Sequence, residues 1–211
     1  MMFMIKIMLS TTNPGKLAEM QAILGALDAH SPAVVQFISP QELGINLDVD
    51  ENGASYAENA RIKAEAFCRA SGMPALADDT GLEVDALGGE PGIRSARYAP
   101  LDHPTDADRR RHLLSRLQGI PRPWRAHFHC TVALALPSGE IYFTDGDCPG
   151  EIIPQERGSH GFGYDPIFLL PEWGRTMAEL VIEEKNRISH RARALHAAWG
   201  TMVRLAMNQS G

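Results

Sequence analysis

Two adjacent carboxylates are the strongest candidates for chemistry in this sequence. Asp78 and Asp79 follow the apolar run Ala75–Ala77 and precede Thr80 and Gly81. At the end of a strand, adjacent side chains point in different directions, so one carboxylate can face a site while backbone donors hold the other. The same four residues are typical of an Asx-type turn closed by glycine. They therefore predict either a metal site or a tight turn, and their surroundings must decide.

An acidic loop upstream offers a further oxygen ligand. Asp48, Asp50 and Glu51 lie just before Gly53, and Mg²⁺ prefers carboxylate oxygens. A solvated loop explains these residues equally well. An aspartyl-phosphate phosphatase also uses an Asp-rich strand end, but its nucleophile and its acid/base partner are two residues apart, whereas the two aspartates here are adjacent. The spacing therefore argues against a phosphoenzyme.

A phosphate-binding loop is predicted near the N-terminus. The apolar run Phe3–Leu9 is typical of a strand, and from Lys16 onward the apolar residues follow helical spacing. A helix N-terminus favours anions, because its first N–H groups have no partner within the helix. The residues of this loop are Thr11, Thr12, Asn13, Pro14, Gly15 and Lys16. They lack the GxxxxGK[ST] pattern, so a plain connecting loop is the alternative.

A second group of candidates lies in the last quarter of the chain. Between Gly161 and Pro166 two glycines flank an aromatic residue, which makes a poor core strand and a good ligand loop, and Phe162 could stack on a base. Glu184–Asn186 and Ser189–Arg191 bracket the cap of the last helix, where cations could bind phosphate oxygens or a base edge. Each cation alone would instead indicate a surface salt bridge.

Two further charged motifs receive no function. His127 and His129 share one strand face, but no third metal ligand has a matching spacing, so we interpret them as structural. The cluster Arg109–Arg111 lies on an amphipathic helix with Asp106 and Asp108 nearby, which is typical of a solvated helix face.

The elements that must position these residues alternate along the chain. The pattern predicts strands at Phe3–Leu9, Val34–Ile38, Ala75–Ala77, Leu82–Leu87, Ala126–Leu136, Glu140–Thr144 and Ile167–Leu170. It predicts helices from Lys16, from the Ser55 capping box to Ser71, over Thr105–Leu117 and after Ser189. This order predicts an α/β fold with an elongated mixed central sheet flanked by helices, and with two lobes that enclose the active-site cleft. No separable linker is evident, so residues 1–211 are expected to form a single domain.

Composition narrows the possible functions. The 211 residues are 44% hydrophobic and carry a formal net charge of −6, which argues against a broad nucleic-acid surface. No apolar run approaches the ~20 residues of a membrane span, and no signal-cleavage site follows the N-terminal apolar run, so we expect a cytoplasmic protein. Cys68, Cys130 and Cys148 show neither zinc nor disulfide spacing and are expected to be buried thiols.

Taken together, the spaced motifs resemble the inosine triphosphate pyrophosphatase family. The resemblance spans residues 9 to about 195 and is carried by Thr11–Lys16, Glu58–Ala60, Ala77–Leu82, Pro91–Tyr98, Gly161–Pro166 and Glu184–Arg191. It implies an enzyme that hydrolyses ITP, dITP and XTP to the nucleoside monophosphate and pyrophosphate. It also implies Mg²⁺ as the cofactor, a homodimer, and a cleft between two lobes.

The resemblance also implies roles for individual residues. Asp79 would be the metal ligand and the proton acceptor, Asp50 the second metal ligand, and Thr80 a substrate contact. The loop of Thr11, Thr12, Asn13, Pro14, Gly15 and Lys16 would hold phosphates. The base, sugar and triphosphate would be enclosed by Phe162, Gly163, Tyr164, Asp165, Lys185, His190 and Arg191.

Three positions depart from the family pattern. Thr12 stands where the family often has Gly, Thr80 where Ser is usual, and Asp50 where a metal-binding Glu often occurs. Because Asp50 is one methylene shorter than Glu, the loop must move closer, a water must bridge to the metal, or neighbouring Glu51 must substitute.

The expected reaction is attack of a water on the α-phosphorus. Lys16 and Lys185 would neutralise the pyrophosphate leaving group, and Arg191 or His190 would donate to the 6-oxygen of hypoxanthine or xanthine and reject the amine of adenine. The alternatives are a pyrophosphatase for other damaged or pyrimidine nucleotides and a non-catalytic nucleotide-binding module.

Overall fold

The structure, a computed structural model, describes residues 4–29, 31 and 34–208. Its helices are α1 (Pro14–Asp28), α2 (Tyr56–Ser71), α3 (Asp106–Arg116), α4 (Ile182–Ile188) and α5 (His190–Asn208). Its strands are β1 (Met4–Leu9), β2 (Val34–Ile38), β3 (Ala75–Val84), β4 (Pro91–Gly92), β5 (Trp124–Ala135), β6 (Ile141–Ile152), β7 (Phe168–Leu170) and β8 (Arg175–Thr176). The hydrogen-bonded order is β2-β1-β3-β5-β6-β7-β8, with β4 on β3. This confirms the predicted α/β fold with a mixed sheet.

The chain divides into two compact units that are each assembled from separated segments. The first unit comprises Met1–Asp79, Cys130–Gly146 and Arg191–Gly211, and the second comprises Thr80–His129 and Asp147–His190. Because the chain passes repeatedly from one unit to the other, no single linker joins them. The cleft between lobes stays a prediction.

The first unit has a hydrophobic core on each face of its strands. β1 pairs in parallel with β2 and with β3, in the register Ile5↔Val35 and Leu9↔Leu76. Side chains alternate along a strand, so Ile5 and Leu9 enter the core that α1 and α5 cover, whereas Met8 enters the core that α2 covers. This parallel arrangement buries the C-terminal half of β1, Ile7–Leu9, on both faces, whereas Met4 and Lys6 at its start are exposed.

The helices of the first unit begin and end at recognisable caps. Asn13 accepts a hydrogen bond from the N–H of Lys16, and Pro14 occupies the first turn, so α1 begins two residues before the predicted Lys16. The Ser55 side chain caps α2 as predicted, and the helix ends at Gly72, whose φ of 68° is left-handed. The predicted end near Ser71 is confirmed.

The acidic segment at residues 78–81 is not a turn. β3 runs without interruption through it, because β1 pairs with its first residues and β4 pairs with Leu82 and Glu83. Backbone groups of a strand bond to its ladder partners, which also include β5 beside β3 in the hydrogen-bonded order, rather than closing an Asx-type turn. The two predicted strands are therefore one, and its C-terminal part ends at Val84, followed by a 3-10 turn at Asp85–Leu87.

The second unit surrounds its own core, which includes Leu113, Trp124, Phe128, Ile167 and Phe168. α3 lies within the predicted Thr105–Leu117, with a capping box between Thr105 and Asp108. β5 and β6 extend the predicted hairpin strands at both outer ends, and sequence patterning missed β4, β8 and α4. All three are too short to establish a periodicity of their own.

Two predictions on composition can be compared with the described residues. Cys68, Cys130 and Cys148 are buried, as expected. Within residues 4–29, 31 and 34–208, no helix is both long and apolar enough to cross a membrane.

Candidate functional site

The alternation of β3 sends the two aspartates to opposite faces of the first unit. Leu76 lies in the core under α1 and α5, and Ala77 lies in the core under α2. Continuing this alternation, Asp78 falls on the α1 and α5 face and Asp79 on the α2 face. The expectation that only one of the pair is catalytic thus has a structural basis.

Asp79 is a buried carboxylate held by α2. Its side chain is 7% exposed, and the Asn59 amide donates to Asp79 Oδ2 at 3.0 Å. The amide oxygen of Asn59 accepts from the Gly53 N–H at 2.8 Å, so one side chain joins the loop that precedes α2 to the aspartate. Burial raises the pKa of Asp79 above its usual value, although Lys16, the Asn59 hydrogen bond and Lys63 oppose this shift.

Glu51, rather than Asp50, is the carboxylate that acts on Asp79. Glu51 Oε2 lies 2.8 Å from the buried Lys63 ammonium, and its negative charge contributes to the raised pKa of Asp79. Asp50 is exposed, and among the described hydrogen bonds it accepts a long one of 3.5 Å from the Asn52 amide. Of the two candidates, Glu51 is therefore the one whose charge acts on Asp79, and the second metal ligand stays a prediction.

Lys63 is a site residue that sequence reasoning missed. It is only 7% exposed and lies one turn beyond Asn59 on the buried side of α2. Two buried polar residues at i and i+4, in a helix whose other buried residues are apolar, were the available signal.

The donor set suits Mg²⁺ bound together with a triphosphate. Mg²⁺ usually takes one or two carboxylates and completes its octahedron with waters and substrate phosphates, which matches Asp79 and Glu51. Across the part of the chain that the structure describes, no cluster of three or more His, Cys, Asp or Glu could hold a metal by itself. His127 and His129 contact Glu83 and Asp147 respectively, as structural histidines would.

Asp78 belongs to a buried ion network. Arg191 Nε and Nη2 donate to Asp78 Oδ2 at 3.1 and 3.0 Å, and the Lys16 ammonium lies 3.3 Å from the same oxygen. Arg191 Nη1 also donates to Glu19, which lies one turn beyond Lys16 on α1. Burial alone would lower the pKa of Arg191, but Asp78 and Glu19 outweigh it and raise that pKa.

Arg191 is the buried cation of this network. Its side chain is 1% exposed and its guanidinium contacts the carboxylates of Asp78 and Glu19, and its contact with the base stays a prediction. Glu19, 5% exposed, is a second residue that sequence reasoning missed. The signal was a charged residue on the otherwise apolar face of α1.

The predicted phosphate loop surrounds the N-terminus of α1. Thr11 is buried and its hydroxyl accepts from the Asn13 N–H at 3.2 Å. Thr12, Asn13 and Pro14 are exposed, and Gly15 and Lys16 are half-buried. The first turn of the helix is therefore open to a ligand on one side and anchored by Thr11 on the other.

In the second unit, Asp165 organises the glycine-rich loop. Asp165 Oδ2 accepts from the Phe162 N–H at 2.9 Å and lies 2.5 Å from the Lys185 ammonium, with both partners of this pair buried. The same ammonium lies 5.1 Å from the centroid of the Phe162 ring, a cation–π contact. Gly161 has a φ of 74°, and a Cβ there would overlap the Asp165 carboxylate. Lys185 thus balances a carboxylate of its own unit.

The other predicted contacts of the second unit have internal partners. Tyr164 is 4% exposed and its hydroxyl donates to the Ser95 carbonyl at 2.9 Å, and burial raises the pKa of Tyr164. The His190 ring is stacked on Phe128, with centroids 4.8 Å apart and an interplanar angle of 19°. Thr80 is half-buried in β3 and Gly163 is half-buried in the loop.

The predicted residues therefore form two groups, one in each unit. The first unit holds Thr11, Thr12, Asn13, Pro14, Gly15, Lys16, Asp50, Asp79 and Arg191, and the second holds Thr80, Phe162, Gly163, Tyr164, Asp165, Lys185 and His190. Their substrate roles stay predictions.

The chain is similar to one family of known proteins in both sequence and structure. The model of the Ham1 family matches residues 7–200. A dITP/XTP pyrophosphatase from Geobacillus kaustophilus is 46% identical over 193 residues, covering 91% of each chain. Another from Desulforamulus reducens is 43% identical, covering 97% of this chain and 99% of its own. The solved structure of a Ham1 protein from Coxiella burnetii superposes with a TM-score of 0.82 at 40% identity, covering 95% of this chain and 99% of that one.

Proposed function

Because the chain belongs to the Ham1 family, we propose that it hydrolyses the deaminated purine nucleoside triphosphates ITP, dITP and XTP to the nucleoside monophosphate and pyrophosphate. Relatives named dITP/XTP pyrophosphatases support this over nearly the whole chain. The observation that carries the proposal is the buried Asp79 carboxylate, bonded by Asn59 and lying within the electrostatic reach of Lys16, Lys63 and Glu51.

Asp79 is the proposed proton acceptor. The water oxygen forms a bond to the α-phosphorus, the water proton passes to an Asp79 oxygen, and the bond between the α-phosphorus and the bridging oxygen breaks to release pyrophosphate. Asn59 donates to Oδ2 and so fixes the plane of the carboxylate. Lys16 stabilises negative charge on the phosphates, because fixed cations placed where charge develops lower the barrier most effectively.

The proposed cofactor is Mg²⁺, held by Asp79 and Glu51. When bound, it would neutralise phosphate charge and make a water more acidic. Glu51 replaces Asp50 in this proposal because Glu51 and Lys63 form the ion pair whose charges act on Asp79.

We propose that base recognition belongs to the second unit. Hypoxanthine and xanthine carry an acceptor at position 6, where adenine carries a donor, so a donating side chain that faces the base rejects ATP by leaving donors unpaired. His190 keeps this role, whereas Arg191 is bonded to Asp78 and Glu19. Phe162 would stack on the base. Guanine shares the 6-oxygen, so GTP must be excluded at position 2.

A homodimer is a further proposal that rests on the resemblance to this family, and a cytoplasmic location is another that rests on the sequence. Buried thiols at Cys68, Cys130 and Cys148 agree with a reducing compartment. Light scattering after gel filtration measures the assembly state, and a monomer at all concentrations would contradict the dimer.

Pyrophosphate release from ITP, with and without Mg²⁺, tests the function. The proposal expects Mg²⁺-dependent release of one pyrophosphate per monophosphate formed, and faster turnover of ITP than of ATP. A protein that binds ITP without releasing pyrophosphate would be a nucleotide-binding module, and one that prefers pyrimidine triphosphates would serve a different nucleotide pool.

A further inference from the structure

The charged helix α3, which sequence analysis left without a function, holds the glycine-rich loop by its backbone. Asp106 Oδ2 accepts from the Gly163 N–H at 2.7 Å. Arg110 Nη1 donates to the Gly163 carbonyl at 2.8 Å. Both backbone polar groups of one loop residue are therefore bonded by two side chains that lie four positions apart on one helix face.

The two holding side chains are themselves fixed. Arg110 Nε and Nη2 donate to the two Glu156 oxygens at 2.8 and 2.9 Å, and the Arg110 side chain is only 12% exposed. Asp106 Oδ1 accepts from Arg109. Burial alone would raise the pKa of Asp106, but the Gly163 and Arg109 bonds outweigh it and lower that pKa, so Asp106 is ionised near neutral pH.

Arg109 completes this support. Its Nη1 donates to the Pro104 carbonyl at 2.7 Å and to the Ala96 carbonyl at 3.0 Å. The Arg109 guanidinium therefore links the segments that precede α3 to the Asp106 carboxylate, which accepts the hydrogen bond from Gly163. An arginine fork held at several points loses little further entropy when it orients a partner.

The position of these bonds explains their consequence for Phe162. The Gly163 N–H belongs to the peptide plane that follows Phe162, and the Phe162 N–H itself donates to Asp165. The backbone on both sides of the aromatic residue is thus fixed. Gly163 has a φ of 61°, a region that glycine enters freely, so the loop would have other conformations available without these bonds.

We propose that Asp106 and Arg110 are positioning residues for base recognition, which act by fixing the peptides on either side of Gly163 and thereby the Phe162 ring. This inference rests on the proposed function, because it assigns the loop to the base of the substrate. A loop fixed before binding costs less ordering entropy when the ligand arrives. Losing the fixation raises KM for ITP and leaves kcat, which depends on Asp79, nearly unchanged.

Matched variants separate positioning from helix stability. Asp106→Ala and Arg110→Ala each remove one bond to Gly163. Asp108→Ala removes an acid from the same first turn and breaks the capping box, and Arg111→Ala removes an exposed arginine from the same helix. Neither control residue is bonded to Gly163 in the described hydrogen bonds. Asp106→Asn keeps an acceptor, and Arg110→Lys keeps the charge.

We expect the KM for ITP to rise about tenfold in Asp106→Ala and in Arg110→Ala, because each variant loses one hydrogen bond to a charged group. The kcat should stay within about twofold of the wild-type value. The preference for ITP over ATP should fall in the same two variants. Asp108→Ala and Arg111→Ala should keep the wild-type KM even where Asp108→Ala lowers the melting temperature. The KM of Asp106→Asn should lie close to the wild-type value, and that of Arg110→Lys between the wild-type value and that of Arg110→Ala.

Hydrogen exchange gives a readout that does not depend on activity. The Gly163 amide should exchange faster in Asp106→Ala than in the wild type and in Asp108→Ala. If the wild type hydrolyses ITP but the Asp106 and Arg110 variants keep its KM and its exchange rate, the inference is wrong and the proposed function stands. If the wild type releases no pyrophosphate from ITP, the proposed function is wrong and the inference falls with it.

Discussion

Substitution of the two adjacent aspartates should lower the stability of the fold by very different amounts. Asp78 is fully buried, and its Oδ2 accepts two hydrogen bonds from Arg191 and lies 3.3 Å from the Lys16 ammonium. Asp78→Asn removes the charge that balances these cations and leaves the Arg191 guanidinium buried with Glu19 as its remaining carboxylate. Breaking a buried pair costs about 3–5 kcal/mol, and the lower end applies because Glu19 remains.

A loss of about 3 kcal/mol corresponds to a fall of about 6–12 °C in melting temperature for a chain of this size. Differential scanning calorimetry without nucleotide measures it. Asp79→Asn is the matched control, because it changes the neighbouring residue on the other face of β3 and leaves the ion network intact. We expect its free energy of unfolding to change by about 1 kcal/mol or less.

Two results of the melting experiments would contradict this difference between the aspartates. If Asp78→Asn melts within about 2 °C of the wild type, the network does not stabilise the fold as its geometry indicates. If Asp79→Asn is as destabilised as Asp78→Asn, the division of the pair into a structural and a catalytic residue is wrong.

Three further predictions concern the metal, the loop and pH. Glu51→Gln should raise the Mg²⁺ concentration for half-maximal rate about tenfold, whereas Asp50→Asn should not, and equal shifts in a Mg²⁺ titration would contradict the choice of Glu51. Gly161→Ala should raise KM for ITP, because the new Cβ overlaps the Asp165 carboxylate at a left-handed φ, and steady-state kinetics showing wild-type KM would oppose this. The hydroxyl and the backbone N–H of Thr105 donate hydrogen bonds to the Asp108 carboxylate and lower its pKa. Its contribution to stability is therefore complete above its unfolded pKa of about 3.9 and is lost as pH falls through the lower folded value, so denaturation of the wild type and Asp108→Asn should differ at pH 7 and converge once the pH falls below that folded value.

Much of the fold was predictable because local rules agree with the tertiary structure. The Ser55 cap, the Gly72 end of α2 and the Thr105 cap of α3 each follow from side-chain hydrogen bonds within a few residues. The continuity of β3 was not predictable, because it depends on pairing with β1 and β4. Propensity at residues 78–81 favours a turn, and the ladder overrides it.

The residues of the candidate site also divide into those that the sequence indicates and those that only tertiary contacts reveal. Strand alternation indicated that only one of the adjacent carboxylates needs to face a site, and the choice of Asp79 came from the family resemblance. Glu19 and Lys63 were missed, because a charged residue on a helix shows its burial only when the opposite charge is known to be nearby. Asp106 and Arg110 were interpreted as a solvated face for the same reason, although each bonds a backbone group more than fifty positions away in sequence.

The most direct test is pyrophosphate release from ITP by the wild type and by Asp79→Asn in the presence of Mg²⁺. We predict one pyrophosphate per IMP for the wild type, and a rate about 10²–10⁴-fold lower for the variant at an unchanged melting temperature. Release of inorganic phosphate in place of pyrophosphate, or a folded Asp79→Asn variant with wild-type turnover, would contradict the account.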